Sequence, residues 1–220
     1  MIDILFKNND FVAVNKPVGI SVHNNETGEC LLLLLEKELN VKKLYPVHRL
    51  DKETSGIQVF ALSQMAAQKL SEEFQNKNVQ KKYCAILKGE LRPIKGIWNS
   101  RLTNKAEGRK NPAGALKDRV LAETQFFVRR SSPFFTFCEF NLITGRRHQI
   151  RKHAALSKHE IVGDVIYGIP KYNKKIAKTF NNERLFLHCF KLEILGQIIE
   201  CSVPKCFYLF FEDSPEIENF

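Results

Sequence analysis

The chain has 220 residues, which is enough for one large domain or two small ones and for a core that buries most of its apolar surface. Its 34 lysines and arginines against 24 aspartates and glutamates give a net charge of +10, which favours polyanionic partners such as nucleic acid or anionic membrane. The longest apolar run, from Leu31 to Leu35, is too short to span a bilayer and the N-terminus has no signal-peptide layout, so we expect a cytoplasmic protein without a membrane partner.

The first part of the sequence predicts two strands followed by a helix. Residues 11–22 (FVAVNKPVGISV) indicate a short strand that ends in a turn, because asparagine, proline and glycine interrupt them. Residues 57–62 are β-branched and aromatic, as in a strand. Ser63 then suits a helix N-cap. The helix that follows is amphipathic, since its apolar residues recur every four positions: Ala66, Leu70 and Phe74.

The second part continues with a mixture of elements. Residues 81–88 alternate between two faces as a strand does, and residues 136–143 are also strand-like. Residues 93–118 are polar and basic with many turn formers, so we expect mobile loops there. Residues 146–157 predict a helix, and residues 192–203 predict a hairpin around Gly196 and Gln197.

These elements predict one α+β domain over residues 1–220. Strands and helices follow each other without a regular βαβα alternation, which favours a mixed, largely antiparallel sheet with flanking helices and basic loops. The sequence contains no internal repeat, no low-complexity tract and no linker that would separate two domains. We expect this single domain to be a monomer.

The segment at residues 48–56 (HRLDKETSG) concentrates polar chemistry between two apolar stretches. One interpretation is structural: a capped turn in which Asp51 accepts backbone N–H bonds while Thr54 and Ser55 satisfy neighbouring groups. The other is catalytic, with Asp51 as a reactive carboxylate.

A second segment, at residues 144–153 (TGRRHQIRKH), is strongly basic. It would be a solvated helix face on the structural interpretation. On the functional one, Arg147 and Arg151 stand four positions apart, where two like charges repel on a helix and a carboxylate or a phosphate would relieve them. Its Ile150 and Ala154 are expected to face the core.

Together these segments closely resemble the RluA family of RNA pseudouridine synthases. HRLD followed by HQIR points to this family and not to the related RsuA-type enzymes, whose segment is similar to GRLD. The resemblance covers nearly the whole chain through six ordered segments: VNKPVGISVH at 14–23, HRLDKETSG at 48–56, KKYCAILKG at 81–89, TGRRHQIRKH at 144–153, IVGDVIYG at 161–168 and RLFLHC at 184–189.

The resemblance implies that Asp51 is the nucleophile or base, that Tyr83 packs against the target base, and that Arg151 pairs with Asp51. Arg49 resembles the arginine that enters the RNA stack where the flipped base has left. The chemistry agrees with these roles. Detaching uracil builds positive charge on the ribose, which a carboxylate can stabilise or trap, and the base must leave its stack before an enzyme can reach it.

The same resemblance implies RNA as the partner, with no cofactor and no metal. Many relatives carry an S4-type RNA-binding domain, and this sequence starts directly with the catalytic region, similar to short members that modify large-subunit ribosomal RNA, transfer RNA or both. We therefore expect the catalytic domain itself to bind RNA through its own surface. The predicted substrate-binding residues are Arg49, His48, Arg147, Trp98, Arg101, Lys105 and Arg109, with Lys95, Lys110, Lys117 and Arg119 as further candidates.

Several alternatives remain open from the residues alone. His148 and His153 lack the spacing of a zinc site, and the other histidines are expected to be structural hydrogen-bonding residues. Trp98 is either a hydrophobic anchor or a surface on which RNA bases stack. The six cysteines form no C-x-x-C pair and predict free thiols in the core. Competing functions are a binding protein that has lost catalysis and a glycosidase, for which Glu53 is the only close second carboxylate.

Overall fold

The computed structural model describes residues 1–23 and 29–211. Within them ten strands form a single sheet. The strands are β1 (Asp3–Lys7), β2 (Phe11–Lys16), β3 (Tyr45–Pro46), β4 (Ser55–Ala61), β5 (Gln80–Lys88), β6 (Lys95–Trp98), β7 (Thr124–Ser131), β8 (Phe135–Leu142), β9 (Leu187–Ile194) and β10 (Gln197–Glu200). The α-helices are α1 (Leu31–Glu38), α2 (Gln64–Gln75), α3 (Gln149–Leu156) and α4 (Pro170–Phe180).

The sheet runs in the order β1-β2-β4-β9-β5-β8-β7-β6, with β10 beside β9 and β3 beside β4. Neighbouring strands are antiparallel except β4 and β9, which are parallel. The predicted α+β class with a largely antiparallel sheet is confirmed. Because β4 joins two antiparallel halves, the loop that precedes it opens at the middle of the sheet.

Both faces of the sheet are covered, and β5 shows how the sequence specifies this. Tyr83, Ala85 and Leu87 face a core shared with α2 and α3, whereas Cys84 and Ile86 face a second core against α4 and the 3₁₀ helix Lys205–Phe211. This alternation was predicted and is confirmed. A strand buried on both sides holds its side chains rigidly, which suits a strand that contributes to a site.

Local signals in the sequence account for several boundaries. The hydroxyl of Ser63 accepts a hydrogen bond from the backbone N–H of Ala66 at 3.1 Å, so the predicted N-cap is confirmed. The hairpin between β9 and β10 turns at Leu195 and Gly196, one residue earlier than predicted, and both have the positive φ of a two-residue hairpin turn. All six cysteines are free, as predicted.

Two predictions were wrong in detail. The segment at residues 93–118, expected to be loops, contains strand β6 and then packs around a small buried cluster of Leu102, Ala113 and Ala122. The helix expected from residue 146 begins only at Gln149, because His148 has a left-handed backbone with φ of 56°. Arg147 therefore lies outside the helix, and the predicted stacking of Arg147 one turn before Arg151 does not occur.

In the described part of the chain, no helix combines the length and the apolar character that crossing a membrane requires.

Candidate active site

A cleft of about 340 Å³ opens between the loop before β4 and the start of α3. The two segments that the sequence singled out thus face each other across it, although about one hundred residues separate them. Strand β5 and the loop after β6 complete the walls. The lining of the cleft includes Arg49, Asp51, Lys81, Tyr83, Asn104, Arg147, His148 and Arg151.

The loop that carries Asp51 is fixed by the strand that follows it. The amide side chain of Gln58 accepts a hydrogen bond from the backbone N–H of Leu50 at 3.0 Å and donates one to the carbonyl of His48 at 2.8 Å. Gly56 has φ of 109° and lies so close to β9 that a Cβ atom would collide with the backbone of Cys189. The glycine of the HRLDKETSG segment is therefore required for the parallel pairing that places Asp51.

A buried lysine holds the other side of the same loop. The ammonium of Lys16 donates to the carbonyls of Pro17, Ile20 and Lys52 at 2.8 to 3.0 Å, and the side chain is fully buried. Burial lowers the pKa of Lys16 to about 7, although the carboxylates of Glu53 and Asp51 oppose the shift. Lys16 thus ties the NKPVGI turn to the loop of Asp51, a role that the sequence did not reveal.

The predicted contact between Arg151 and Asp51 is present. Nη1 of Arg151 donates to Oδ2 of Asp51 at 3.1 Å; the arginine is 1% exposed and the aspartate side chain 23%. The stronger partner of the guanidinium is Asp164. Its Oδ2 accepts a hydrogen bond from Nε at 2.7 Å, and its Oδ1 accepts one from Nη2 at 2.8 Å. Asp164 also accepts hydrogen bonds from the backbone N–H groups of Ile166 and Tyr167, and its ion pair with Arg151 was not predicted from the sequence.

Tyr83 lies in the cleft on β5 and is almost fully buried. Burial, followed by the nearby Cys189 and Asp51, raises the pKa of Tyr83 well above its usual value, so the phenol keeps its proton. Lys81, two residues earlier on the same strand, also lines the cleft with its ammonium 5.3 Å from the ring centre of Phe74. Burial lowers the pKa of Lys81. Lys81 was not among the predicted site residues.

Some of the predicted RNA-binding residues line the cleft and the others do not. Arg49 and Arg147 are exposed and line it. His48 instead uses Nε2 to accept the backbone N–H of Val59 at 3.0 Å and stacks its ring on Phe74, which agrees with a structural role.

The remaining predicted contacts lie on or near the loop after β6. Trp98 is half-buried and packs against Phe126 and Phe140, so it acts as a hydrophobic anchor. Arg101, Lys105 and Arg109 are exposed, as are Lys110 and Lys117. Lys105 pairs with Asp118 at 3.1 Å. Among the loop residues it is Asn104 that lines the cleft.

Across residues 1–23 and 29–211 no group of three or more potential metal ligands comes together. The cleft combines the carboxylate of Asp51, a buried guanidinium that contacts it, an aromatic ring beside it and arginines at the rim. The carboxylate of Glu53 lies 3.7 Å from the same Nη1 of Arg151, but Glu53 is not among the residues that line the cleft. Such a site fits a flat base turned out of a nucleic acid, with phosphates held at the entrance. The fold and the site therefore fit the class of enzymes that act on a base within a polynucleotide.

Comparison with known proteins agrees with this class. Residues 10–156 match the sequence profile of the family described as RNA pseudouridylate synthase. The tRNA pseudouridine synthase C of Pasteurella multocida (strain Pm70) is 33% identical over 93% of this chain and 90% of its own length. The uncharacterized RNA pseudouridine synthase YhcT of Bacillus subtilis (strain 168) is 36% identical over 76% of this chain and 58% of its own.

A solved structure gives the same result. The human RNA pseudouridylate synthase domain containing 4 superposes with a TM-score of 0.78 and 26% identity, covering 94% of this chain and 90% of the human one. The chain belongs to the RNA pseudouridylate synthase family, of the RluA type, and is an isomerase that makes pseudouridine in RNA. The resemblance noted from the six sequence segments is confirmed.

Proposed function

We propose that this chain converts a uridine of transfer RNA to pseudouridine and that Asp51 is the carboxylate that carries the reaction. The observation behind this proposal is the 3.1 Å contact between Asp51 and the buried guanidinium of Arg151, in a cleft that also contains the ring of Tyr83. The choice of transfer RNA rests on relatives named tRNA pseudouridine synthase C, such as those of Pasteurella multocida and Vibrio cholerae, aligned over 90% and 86% of their lengths.

The reaction exchanges one bond to the ribose for another. The bond from C1′ to N1 of uracil breaks, the base turns, a bond from C1′ to C5 forms, and the proton on C5 leaves while N1 regains one. Positive charge develops on the ribose when the first bond breaks. The Asp51 carboxylate can stabilise that charge, trap C1′ covalently or remove a sugar proton, and each route requires it to be ionised. Arg151 favours the ionised form by pairing with it.

Tyr83 supplies the surface for the base. Its ring is held by a strand buried on both faces, so it presents a flat apolar face in a fixed orientation. The raised pKa of Tyr83 means that its hydroxyl remains a phenol and acts as a hydrogen-bonding group. We therefore assign Tyr83 to stacking and orientation of the detached uracil.

RNA binding is assigned to the rim and to the loop after β6. Arg49 and Arg147 stand at the cleft entrance, where exposed guanidinium groups pair with phosphates or fill the gap left by the flipped base. Arg101, Lys105 and Arg109 extend the positive surface outward. We assign no RNA contact to His48, because its ring nitrogen already accepts a backbone N–H.

The remaining expectations are a single catalytic domain over residues 1–220, a monomer and a location in the cytoplasm. One continuous sheet through the described residues supports the single domain, while residues 24–28 and 212–220 lie outside that description. Free cysteines support a reducing compartment. Light scattering of the purified chain tests the monomer.

The proposal is tested with RNA that carries tritium at C5 of its uridines. Pseudouridine formation releases that tritium to water, and the modified nucleoside keeps the mass of uridine. We expect release from unmodified transfer RNA and little from fragments of large-subunit ribosomal RNA. Tritium release from the ribosomal fragments alone would contradict the proposal that transfer RNA is the substrate. Free uracil in solution would indicate a glycosidase, and tight binding without either product would indicate a binding protein.

A further inference from the structure

His148 lies between the candidate catalytic carboxylate and a buried tyrosine. Its Nδ1 is 3.0 Å from the hydroxyl of Tyr167, and its Nε2 is 3.6 Å from Oδ1 of Asp51. The side chain is 7% exposed. Arg151 contacts the other carboxylate oxygen, Oδ2, so the two oxygens of Asp51 face two different side chains.

The hydroxyl of Tyr167 has a second neighbour that fixes its orientation. The backbone N–H of Glu107 donates to this oxygen at 3.2 Å, so the hydroxyl is an acceptor there. A phenol has a single proton to donate, and Tyr167 is 1% exposed, which leaves no solvent to receive it. Nδ1 of His148 is the acceptor within reach.

The tautomer of His148 follows from this arrangement. If Nδ1 accepts the phenolic proton, it carries no hydrogen of its own, and the neutral ring holds its hydrogen on Nε2. That N–H is on the side of Asp51. A protonated ring would place a hydrogen on Nδ1. The buried phenolic proton would then have no acceptor, which costs free energy.

The geometry points to His148 as a positioning residue for Asp51: a neutral imidazole whose tautomer is set by Tyr167 and whose Nε2–H steadies Oδ1 while Arg151 holds Oδ2. This inference rests on the proposed role of Asp51. The 3.6 Å separation is longer than a hydrogen bond, and catalytic hydrogen bonds commonly shorten when substrate fills the site. A carboxylate held at both oxygens has one orientation toward C1′ of the bound uridine.

The charges around His148 agree with a neutral ring. Burial is the largest influence and lowers its pKa; Arg151 and Arg147 lower it further, and the carboxylates of Asp51 and Asp164 oppose them. The net direction is downward, so the ring is uncharged near neutral pH.

The same contacts connect Asp51 to the loop after β6. Glu107, which donates to Tyr167, belongs to that loop, as does Asn104 at the cleft wall. A fully buried ammonium, that of Lys152, fastens the loop to α3 by donating to the carbonyls of Thr103 and Lys105 at 2.8 Å. The position of the loop thus sets the orientation of the Tyr167 hydroxyl, and this hydroxyl sets the tautomer of His148.

The test uses Tyr167→Phe, which removes only the hydroxyl and keeps the ring beside Arg151 and His148. Tyr172→Phe is the matched control, since Tyr172 packs on the far face of the sheet. Nitrogen-15 NMR of histidine-labelled protein reads the tautomer, with the His148 signals identified by their loss in His148→Asn. Asparagine tolerates the left-handed backbone of this position.

We expect wild type and Tyr172→Phe to hold the hydrogen of His148 on Nε2 at neutral pH, and Tyr167→Phe to lose this preference. In Tyr167→Phe we also expect kcat to fall about tenfold, the rate equivalent of one hydrogen bond to a charged group, with KM for RNA unchanged. A hydrogen on Nδ1 in wild type, or an unchanged kcat in Tyr167→Phe, would overturn the inference. If wild type makes no pseudouridine at all, the proposed function fails, while the NMR result still decides the tautomer.

Discussion

Arg151→Met is expected to destabilise the protein as well as inactivate it. The guanidinium is buried and pairs at two points with Asp164, which is itself 1% exposed. Removing one partner of a buried ion pair leaves the other charge without compensation and costs about 3–5 kcal/mol. For a chain of this size the melting temperature should fall by roughly 6–20 °C. Thermal unfolding followed by circular dichroism, without RNA, measures this shift.

Double-mutant comparisons show which carboxylate partner of Arg151 accounts for the loss of stability. Because Asp164 is buried and Asp51 is 23% exposed, most of the loss should come from Asp164. Arg151→Met should therefore cost much less in an Asp164→Asn background and about the same in an Asp51→Asn background. Arg151→Lys should be intermediate, because it keeps the charge without the two-point geometry. An unchanged melting temperature in Arg151→Met, together with weaker RNA binding and a smaller salt dependence, would show that Arg151 is a phosphate clamp.

Three further predictions concern the base, the loop and acid stability. Tyr83→Phe should bind RNA better than Tyr83→Ala, and equal affinities in a titration would show that the ring adds little. Changing Arg101, Lys105 and Arg109 to glutamine should reduce the slope of log affinity against log salt by roughly 2; an unchanged slope would place RNA elsewhere. Burial, then Arg184, lowers the pKa of His188 to about 4 from 6.5. The unfolded chain therefore binds this proton first, and His188 by itself should lower the stability by about 3 kcal/mol as the pH falls from 6.5 to 4. Urea unfolding should show this loss in wild type and a flatter profile in His188→Asn; identical profiles would contradict it.

The sequence predicted the parts of this molecule that depend on local pattern. Alternation identified β5, Ser63 marked the start of α2, and the family resemblance of the HRLDKETSG segment predicted the contact between Asp51 and Arg151. Strand β6 was missed because it is short and lies among turn formers, and its pairing with β7 is a tertiary contact.

The supporting side chains of the site were harder to predict. The left-handed backbone at His148 has no sequence signal, since histidine is not the residue that usually marks positive φ. Asp164 lies in the IVGDVIYG segment and follows Gly163, which has φ of 79° and approaches the backbone of Arg184 closely in the structure. Its pairing with Arg151 depends on how α3 packs, which no local pattern encodes.

The most direct test of the central claim is pseudouridine formation by Asp51→Asn under single-turnover conditions on unmodified transfer RNA. Asparagine has the shape of aspartate but no charge, so it removes the nucleophile or base and leaves the Asp164 pair that stabilises Arg151. We expect Asp51→Asn to keep the fold and to bind the RNA as tightly as wild type, and to form no pseudouridine. Formation of pseudouridine at the wild-type rate by Asp51→Asn would contradict the assignment of Asp51 as the catalytic carboxylate.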